Sequence, residues 1–452
     1  MKMRQPYRIE SLTLKGVGVF EHTHINFPQI ANEMRDAKKA EIHIFTGPNG
    51  CGKSTVLYAL ASTLNPQPGG DALVRKRYHG NNSYVQFSFS GEKGIIGVQE
   101  PLQPDTLPAI WSTESYYYAV ENSNSSKIYH NRPYLNINEQ WNSSSFNFAA
   151  FAYSGVREQI TSFDIGAIQE IKTSPFENSL SFSNTVRPKL LAQWIANSIT
   201  QAVLARDEGN EVEAKEYDRA LTQISAFIKN VCGIETKFRL KRKPLAVAIS
   251  VEGQDIAFDT LPEGLKSMIT WIVDLALRLE SIPWKDSCEI FAQPIILFLD
   301  EVDIHLHPKW QRRILPAIQK LLPNAQIFVS THSPFVVGSV EDAYVYRLPE
   351  PHRNECRDAS IAENIKAIDS KAGKSYQLIL SDVFGIDEEF DVETEEQLAE
   401  FKSLIHQHLL TEQYGEAING LAKKLSDKGE ELSEIVSLEL RQMQRLMSKK
   451  QG

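Results

Sequence analysis

Gly47-Pro48-Asn49-Gly50-Cys51-Gly52-Lys53-Ser54-Thr55 follows the apolar run Ile42-His43-Ile44-Phe45-Thr46 and leads into Val56-Leu57-Tyr58-Ala59-Leu60-Ala61. The run fits G-x-x-x-x-G-K-[ST] at every required position, with a strand-like segment before it and a helix-like one after, the setting a phosphate-binding loop requires. The glycines let main-chain N–H groups converge on phosphate oxygens at a helix N-terminus, whose dipole also favours negative charge. There Lys53 reaches the β- and γ-phosphates and Ser54 places its hydroxyl on Mg²⁺. The bland alternative is a glycine-rich turn before a buried helix, and the agreement of strand, loop and helix argues against it.

Two further apolar runs end in polar residues of the kind such a loop needs nearby. Pro294-Ile295-Ile296-Leu297-Phe298-Leu299-Asp300-Glu301 reads as a fully buried parallel strand whose carboxyl end faces a ligand. Asp300 is placed to hold Mg²⁺, directly or through water, and Glu301 to orient and deprotonate an attacking water. Gln326-Ile327-Phe328-Val329-Ser330-Thr331-His332-Ser333-Pro334 is a second buried strand with a polar turn, and His332 stands where it can sense a γ-phosphate. Ala257 to Ser267 opens the apolar helix Met268 to Leu277.

Around these runs, residues 7 to 27 alternate as two antiparallel strands, and Tyr84 to Phe89 with Ile95 to Val98 read as a hairpin about Gly91-Glu92-Lys93-Gly94. Residues 101 to 150 turn rich in Ser, Asn, Tyr and Pro, an irregular surface excursion in which Tyr116-Tyr117-Tyr118 either packs locally or stacks on a base. Leu190 to Ile199 and Tyr217 to Ile228 have helical spacing about the break Arg206-Asp207-Glu208-Gly209, predicting two helices in a short arm or lid. No heptad pattern persists long enough for a coiled coil. Lys237, Arg239, Lys241, Arg242 and Lys243 lie on a strand-like segment, either as a solvated edge guard or as phosphate contacts.

Composition limits the function classes. The chain has 452 residues, 42% of them hydrophobic, and carries a net charge of −9, so any grip on nucleic acid is a local patch. Four cysteines lie far apart, with no C-x-x-C pair for a zinc hook or disulfide framework. No apolar run approaches the roughly 20 residues of a membrane span, and Met1-Lys2-Met3-Arg4-Gln5-Pro6 has no signal-peptide core, so a soluble cytoplasmic protein without membrane contact is expected.

Taken in order, these stations resemble the ATP-binding-cassette (ABC) ATPases of the RecF, SMC and OLD type. Gly47 to Thr55 looks like Walker A, Leu261 to Ser267 the signature, Leu297 to Glu301 Walker B and Ser330 to Pro334 the H-switch. Val302-Asp303-Ile304-His305-Leu306-His307-Pro308 is similar to the stretch after Walker B, which makes Asp303 the D-loop residue. Phe151 to Arg157 resembles the segment between the first lobe and the lid, with Arg157 at the nucleotide. The resemblance implies ATP and Mg²⁺ as ligands and head-to-tail dimers in which Glu263 and Gly264 of one subunit meet the nucleotide of the other. Pro262 stands where the family's signature has a serine, a departure that bears on the rate of hydrolysis and lends weight to a slow-turnover rival. Neither Gln86 nor Gln99 is assigned as the family's Q-loop glutamine. The acidic, helix-forming tail resembles that of stand-alone ATPases of anti-phage systems such as Septu, PARIS and retron-linked operons. A Toprim nuclease domain is not read in it, because Glu389-Phe390-Asp391 lacks flanking apolar strands.

The expected fold is α/β, an ABC ATPase head with a mixed sheet and P-loop core, a helical insertion and a helical C-terminal extension. Its expected parts are 1–100, a lobe with Walker A; 101–245, an insertion and lid with a helical arm; 246–355, a lobe with signature, Walker B and H-switch; and 356–452, an assembly or partner-docking region. The resemblance implies an ATPase that assembles as dimers or higher oligomers and controls a separate effector, a nuclease, in anti-phage defence. Two rivals stand beside it: a RecF-like repair clamp binding DNA through Lys237 to Lys243, and a scaffold that binds ATP but barely turns it over.

Overall fold

The computed structural model describes residues 7–29, 39–64, 77, 83–90, 115–119, 146–155, 165, 167–182, 184–286, 288–350, 362–370, 372–411 and 413–450. The chain opens on a hairpin, β1 (Arg8–Val17) and β2 (Phe20–Asn26), followed by β3 (Glu41–Thr46), α1 (Lys53–Leu64), β4 (Tyr84–Ser90), β5 (Ser115–Ala119) and β6 (Ala149–Ser154). Helices α2 (Pro188–Asp207) and α3 (Glu211–Cys232) precede a meander of β7 (Thr236–Arg242), β8 (Leu245–Val251) and β9 (Gln254–Ile256). Then come α4 (Glu263–Ser281), β10 (Ile295–Asp300), α5 (Pro308–Leu321), β11 (Ala325–Ser330), α6 (Pro334–Val337), β12 (Ala343–Arg347), β13 (Glu363–Ile365), β14 (Ile368–Asp369) and α7 (Tyr376–Ile379). Three helices close the chain: α8 (Val392–Thr411), α9 (Gly415–Ser426) and α10 (Glu430–Lys450).

A six-stranded sheet ordered β14-β12-β3-β11-β10-β6 forms the centre, parallel except for β14. Every residue of β3, β10 and β11 is buried, so apolar residues fill both faces of these strands instead of alternating, with Glu41, His43 and Gln326 as buried polar members. A five-stranded sheet, β13-β2-β1-β4-β5, lies beside it in the same unit. In β1 the buried residues Ile9, Leu12 and Leu14 depart from strict alternation, and the register against β4 shifts between Ile9 and Ser11, a bulge that absorbs the extra residue.

Three expectations are corrected here. Tyr116-Tyr117-Tyr118 lies in β5, paired antiparallel with β4, where an irregular excursion was expected. Phe151 to Ser154 is not a connecting segment but most of β6, hydrogen-bonded beside β10 in the central sheet. The two expected helices form, but Leu191, Trp194 and Ile195 of α2 and Ile224, Phe227 and Ile228 of α3 join the main core, so the pair is built into the unit instead of standing off it as an arm. The second strand of the expected hairpin, Ile95 to Val98, lies outside the described residues.

A buried polar cluster fixes α4 to the sheet. Tyr153 of β6 donates its hydroxyl to Asp274 Oδ2 at 2.9 Å, and Arg278 Nε donates to the same oxygen at 2.6 Å. Arg278 Nη1 also donates to the carbonyls of Pro175 (2.6 Å) and Glu177 (2.9 Å). Burial, then the Asp274 charge, pushes the Tyr153 hydroxyl well above its ordinary range, so it remains a donor.

The chain divides into two compact units, Met1–Phe384 and Gly385–Gly452. The second consists of α8, α9 and α10 around Leu398, Phe401, Ile405, Ile418, Leu425 and Val436. Asp391 caps α8, accepting from the Thr394 N–H at 3.1 Å and its hydroxyl at 2.6 Å.

Candidate active site

Because β3, β11 and β10 are adjacent and parallel, their carboxyl ends open side by side at one edge of the sheet. This is where an open α/β sheet binds ligands. Residues Gly47 to Gly52 leave β3 as a loop with positive φ at Gly47 (144°), Gly50 (79°) and Gly52 (94°), and α1 starts at Lys53. Pro48, Asn49 and Gly50 form an exposed rim, while Cys51, Lys53 and Thr55 are buried. Lys53 Nζ donates to the carbonyls of Gly47 and Pro48, each at 2.9 Å, and lies 3.6 Å from Cys51 Sγ.

Asp300 collects donors on both oxygens. Oδ1 accepts from Ser54 Oγ at 3.0 Å and Ser330 Oγ at 2.5 Å, and Oδ2 accepts from the Tyr58 hydroxyl at 3.3 Å. Burial, with the Asp300 charge next, pushes the Tyr58 hydroxyl up to about 12, so it stays protonated. Glu301 follows at φ 50°, a left-handed conformation for a non-glycine residue, and its N–H donates to Ser330 Oγ at 2.8 Å. Burial and the charges of Asp300 and Asp303 raise the Glu301 carboxyl above the usual glutamate value, with Lys53 opposing them. His332, on the turn after β11, is pushed down by burial and by Lys53, which favours its neutral form. Asp303 is raised by burial against hydrogen bonds from Thr331 and His332, and its Oδ1 is buried without a hydrogen-bond partner among the described residues.

The structure thus brings together Lys53, Ser54, Asp300, Glu301, Asp303 and His332. Glu263 and Gly264 stand elsewhere, at the first turn of α4. Pro262 occupies the N-cap without a side-chain bond, and a Cβ on Gly264 would lie 2.6 Å from the His305 carbonyl oxygen, so α4 begins against the loop after β10. The Glu263 carboxylate pairs with Lys266 at 2.8 Å. Arg157 lies outside the described residues.

Three contributors escaped the sequence reading. Tyr58 is four residues beyond Ser54, hence on the same helix face, and that spacing was the available signal. Ser330 depends on strand register, and Gln311 on the packing of α5. Gln311 donates to the Leu306 carbonyl at 2.9 Å and accepts from Ser333 Oγ at 2.7 Å, joining the loop after β10 to the turn after β11.

The donor set fits Mg²⁺ bound with a nucleotide. Ser54 Oγ and Asp300 Oδ1 are two hard oxygens already in contact, and among the described residues no group of three or more His, Cys, Asp or Glu forms a self-sufficient metal cage. A cation that takes one carboxylate, one hydroxyl, substrate phosphates and water needs no more.

Loop, strand-end carboxylates and histidine turn together form a phosphate-binding type of site at the carboxyl edge of a mixed α/β sheet. Residues 117–338 match the family described as "AAA domain, putative AbiEii toxin, Type IV TA system", and residues 34–145 match "ABC transporter". The chain is 23% identical over 368 residues to the "Retron Ec83 probable ATPase" of Escherichia coli, covering 68% of this chain and 66% of that one, just under two thirds of its length. It is 24% identical over 384 residues to the "Septu protein PtuA" of Bacillus thuringiensis, covering 84% and 85%. The SMC head domain from Thermotoga maritima aligns with 80% of this chain and 99% of its own at 15% identity and a TM-score of 0.40. The chain is thus similar to a retron probable ATPase and to a Septu PtuA protein.

Proposed function

We propose that this chain binds and hydrolyses ATP, assembles as a dimer or higher oligomer with nucleotide between subunits, and controls a separate effector, a nuclease, in anti-phage defence. The observation that carries the ATPase reading is the contact of Ser54 with Asp300 at 3.0 Å beside a loop whose lysine is buried and aimed into it. Lys53 exchanges its Gly47 and Pro48 carbonyl partners for phosphate oxygens, and the loop N–H groups bind the rest of the phosphate chain. Ser54 and Asp300 would hold Mg²⁺, which when bound would supply positive charge to offset that of the phosphates. Glu301 orients the attacking water and takes its proton, a task suited to a carboxylate whose affinity for protons is raised. His332, whose neutral form is favoured, donates a ring N–H to a γ-phosphate oxygen. Asp303 and the first turn of α4, Glu263 and Gly264, face the partner subunit's nucleotide, with main-chain N–H groups of α4 standing in for the serine that Pro262 replaces.

Hydrolysis by the purified chain, with Glu301→Gln abolishing turnover but keeping ATP bound, tests the chemistry. Wild-type turnover in that variant overturns the role of Glu301. The mass of the chain expressed with its operon neighbours, with and without ATP, tests the assembly: a complex with a nuclease-like subunit that ATP alters supports effector control.

A DNA clamp is the second reading, favoured by one observation. Lys237, Arg239, Lys241, Arg242 and Lys243 are all exposed on and after β7, with Arg239 only 3.8 Å from Asp255. If this strand grips phosphate, affinity for DNA falls steeply with salt and vanishes on charge reversal at Arg239, Lys241 and Arg242.

A further inference from the structure

Ser330 holds the start of the turn that leaves β10 through two main-chain groups. Its carbonyl accepts the Val302 N–H at 3.3 Å, and its hydroxyl oxygen accepts the Glu301 N–H at 2.8 Å. The first two N–H groups of the turn that leaves β10 are therefore satisfied by this one residue. The hydroxyl proton has a single destination: since the Glu301 N–H can only donate, the Ser330 oxygen is an acceptor there, and its own proton goes to Asp300 Oδ1 at 2.5 Å. Ser330 is 1% exposed, so water does not compete for these bonds. The residue itself is fixed on the other side, because Ser330 pairs with Phe45 of β3 and the next N–H, Thr331, donates to the Phe45 carbonyl at 3.1 Å, just before the P-loop.

Glu301 needs such a hold. Its φ of 50° is a conformation that non-glycine residues keep only where the surroundings impose it. We propose that Ser330 is the positioning residue of hydrolysis: its hydroxyl, oriented by donating to Asp300, clamps the Glu301 main chain in its left-handed turn and so sets where the Glu301 carboxylate lies. This rests on the reading of Glu301 as the group that activates water. The order Asp300, Ser330 Oγ, Glu301 N–H forms one chain of bonds, so the metal-side carboxylate and the water-side carboxylate share a common spacer. Asp300 retains Ser54 and Tyr58 as donors without Ser330, so nucleotide and Mg²⁺ binding do not depend on it.

The test compares Ser330→Ala, Ser330→Thr and Glu301→Gln in the full chain, reading kcat and KM together with the binding of a fluorescent ATP analogue in magnesium and in EDTA. The expected result for Ser330→Ala is a kcat lower by about 10- to 100-fold, the scale of a misplaced catalytic group, with KM and both binding constants changed by less than about 3-fold. Ser330→Thr, which keeps the hydroxyl on a residue that strands accept, should recover most of kcat. Wild-type kcat in Ser330→Ala beside a dead Glu301→Gln would overturn the inference and leave the proposed function standing. Parallel loss of kcat and nucleotide binding in Ser330→Ala would also overturn it, by showing a general structural role. Full activity in Glu301→Gln would instead remove the reading on which the inference rests.

Discussion

At Gly155, just after β6, the main chain passes so close to the hydrolytic turn that a Cβ would lie 2.5 Å from the Glu301 carbonyl oxygen, 2.7 Å from Ile304 Cγ2 and 2.9 Å from Glu301 Cβ. Gly155→Ala must therefore move Glu301, since two of the three approaching atoms are its own, one of them the main-chain carbonyl oxygen. The expected outcome is a kcat lower by roughly 10- to 100-fold with ATP affinity within about 3-fold, read by steady-state kinetics and nucleotide titration. A second residue with a measurable consequence is Glu41. Burial would raise its carboxyl, but its bond to His43 at 2.7 Å, the His43 charge and the Arg8 guanidinium outweigh that and hold it at about 2. A carboxyl depressed on folding adds stability that is full above its unfolded value near 4.5 and is lost as pH falls toward 2. That contribution is on the order of 3 kcal/mol. Urea unfolding of wild type and Glu41→Gln should thus differ most near neutral pH, with the gap closing in acid. The P-loop and the Asp300-Glu301 pair were legible in the sequence because their chemistry is local: spacing alone puts Lys53 and Ser54 on one turn. Ser330 and Gly155 were not, because their roles arise from contacts between strands distant in the chain.

At the scale of elements, α4 is held to the sheet by polar as well as apolar groups. Asp274 and Arg278 are fully buried and bonded to each other, to Tyr153 and to main-chain carbonyls. Removing Arg278 leaves the buried Asp274 carboxylate with only Arg187, 3.8 Å away, as counter-charge. Arg278→Met should therefore cost about 3–5 kcal/mol, a lower urea midpoint with an unchanged slope. Partial recovery on adding Asp274→Leu, limited by Arg187 losing its counter-charge, would show that the penalty lies in the Asp274 carboxylate. From sequence, α4 shows an apolar helix with one aspartate and one arginine at i and i+4, a spacing also expected of a solvated surface pair, so only the structure tells that this one is internal. The strands divide in the same way. Mainly apolar runs on both faces made β3, β10 and β11 readable, whereas β6 (Ala-Ala-Phe-Ala-Tyr-Ser) is half alanine and is a strand because it adds to β10.

At the scale of the whole molecule, the boundary between units carries functional weight. The expected division at residue 356 rested on a change in composition, but β13 adds to β2 and β14 to β12, so the chain after 356 first completes both large sheets. The division by contacts falls at Phe384, and Leu398 to Val436 form a separate core. Every described residue of the candidate site lies in the first unit, and that unit's apolar core closes without any residue beyond Phe384. A chain ended after Phe384 should therefore bind ATP within about 3-fold of the full chain, because sites with no shared partners behave additively. If α8, α9 and α10 serve assembly or docking, the same shortened chain should still dimerise on ATP when Glu301 is replaced by Gln, yet fail to co-purify with the effector. Nucleotide affinity separates the two ideas: its loss would mean that the helical unit completes the ATP site, while intact affinity with an intact effector complex would move the docking surface onto the ATPase unit itself.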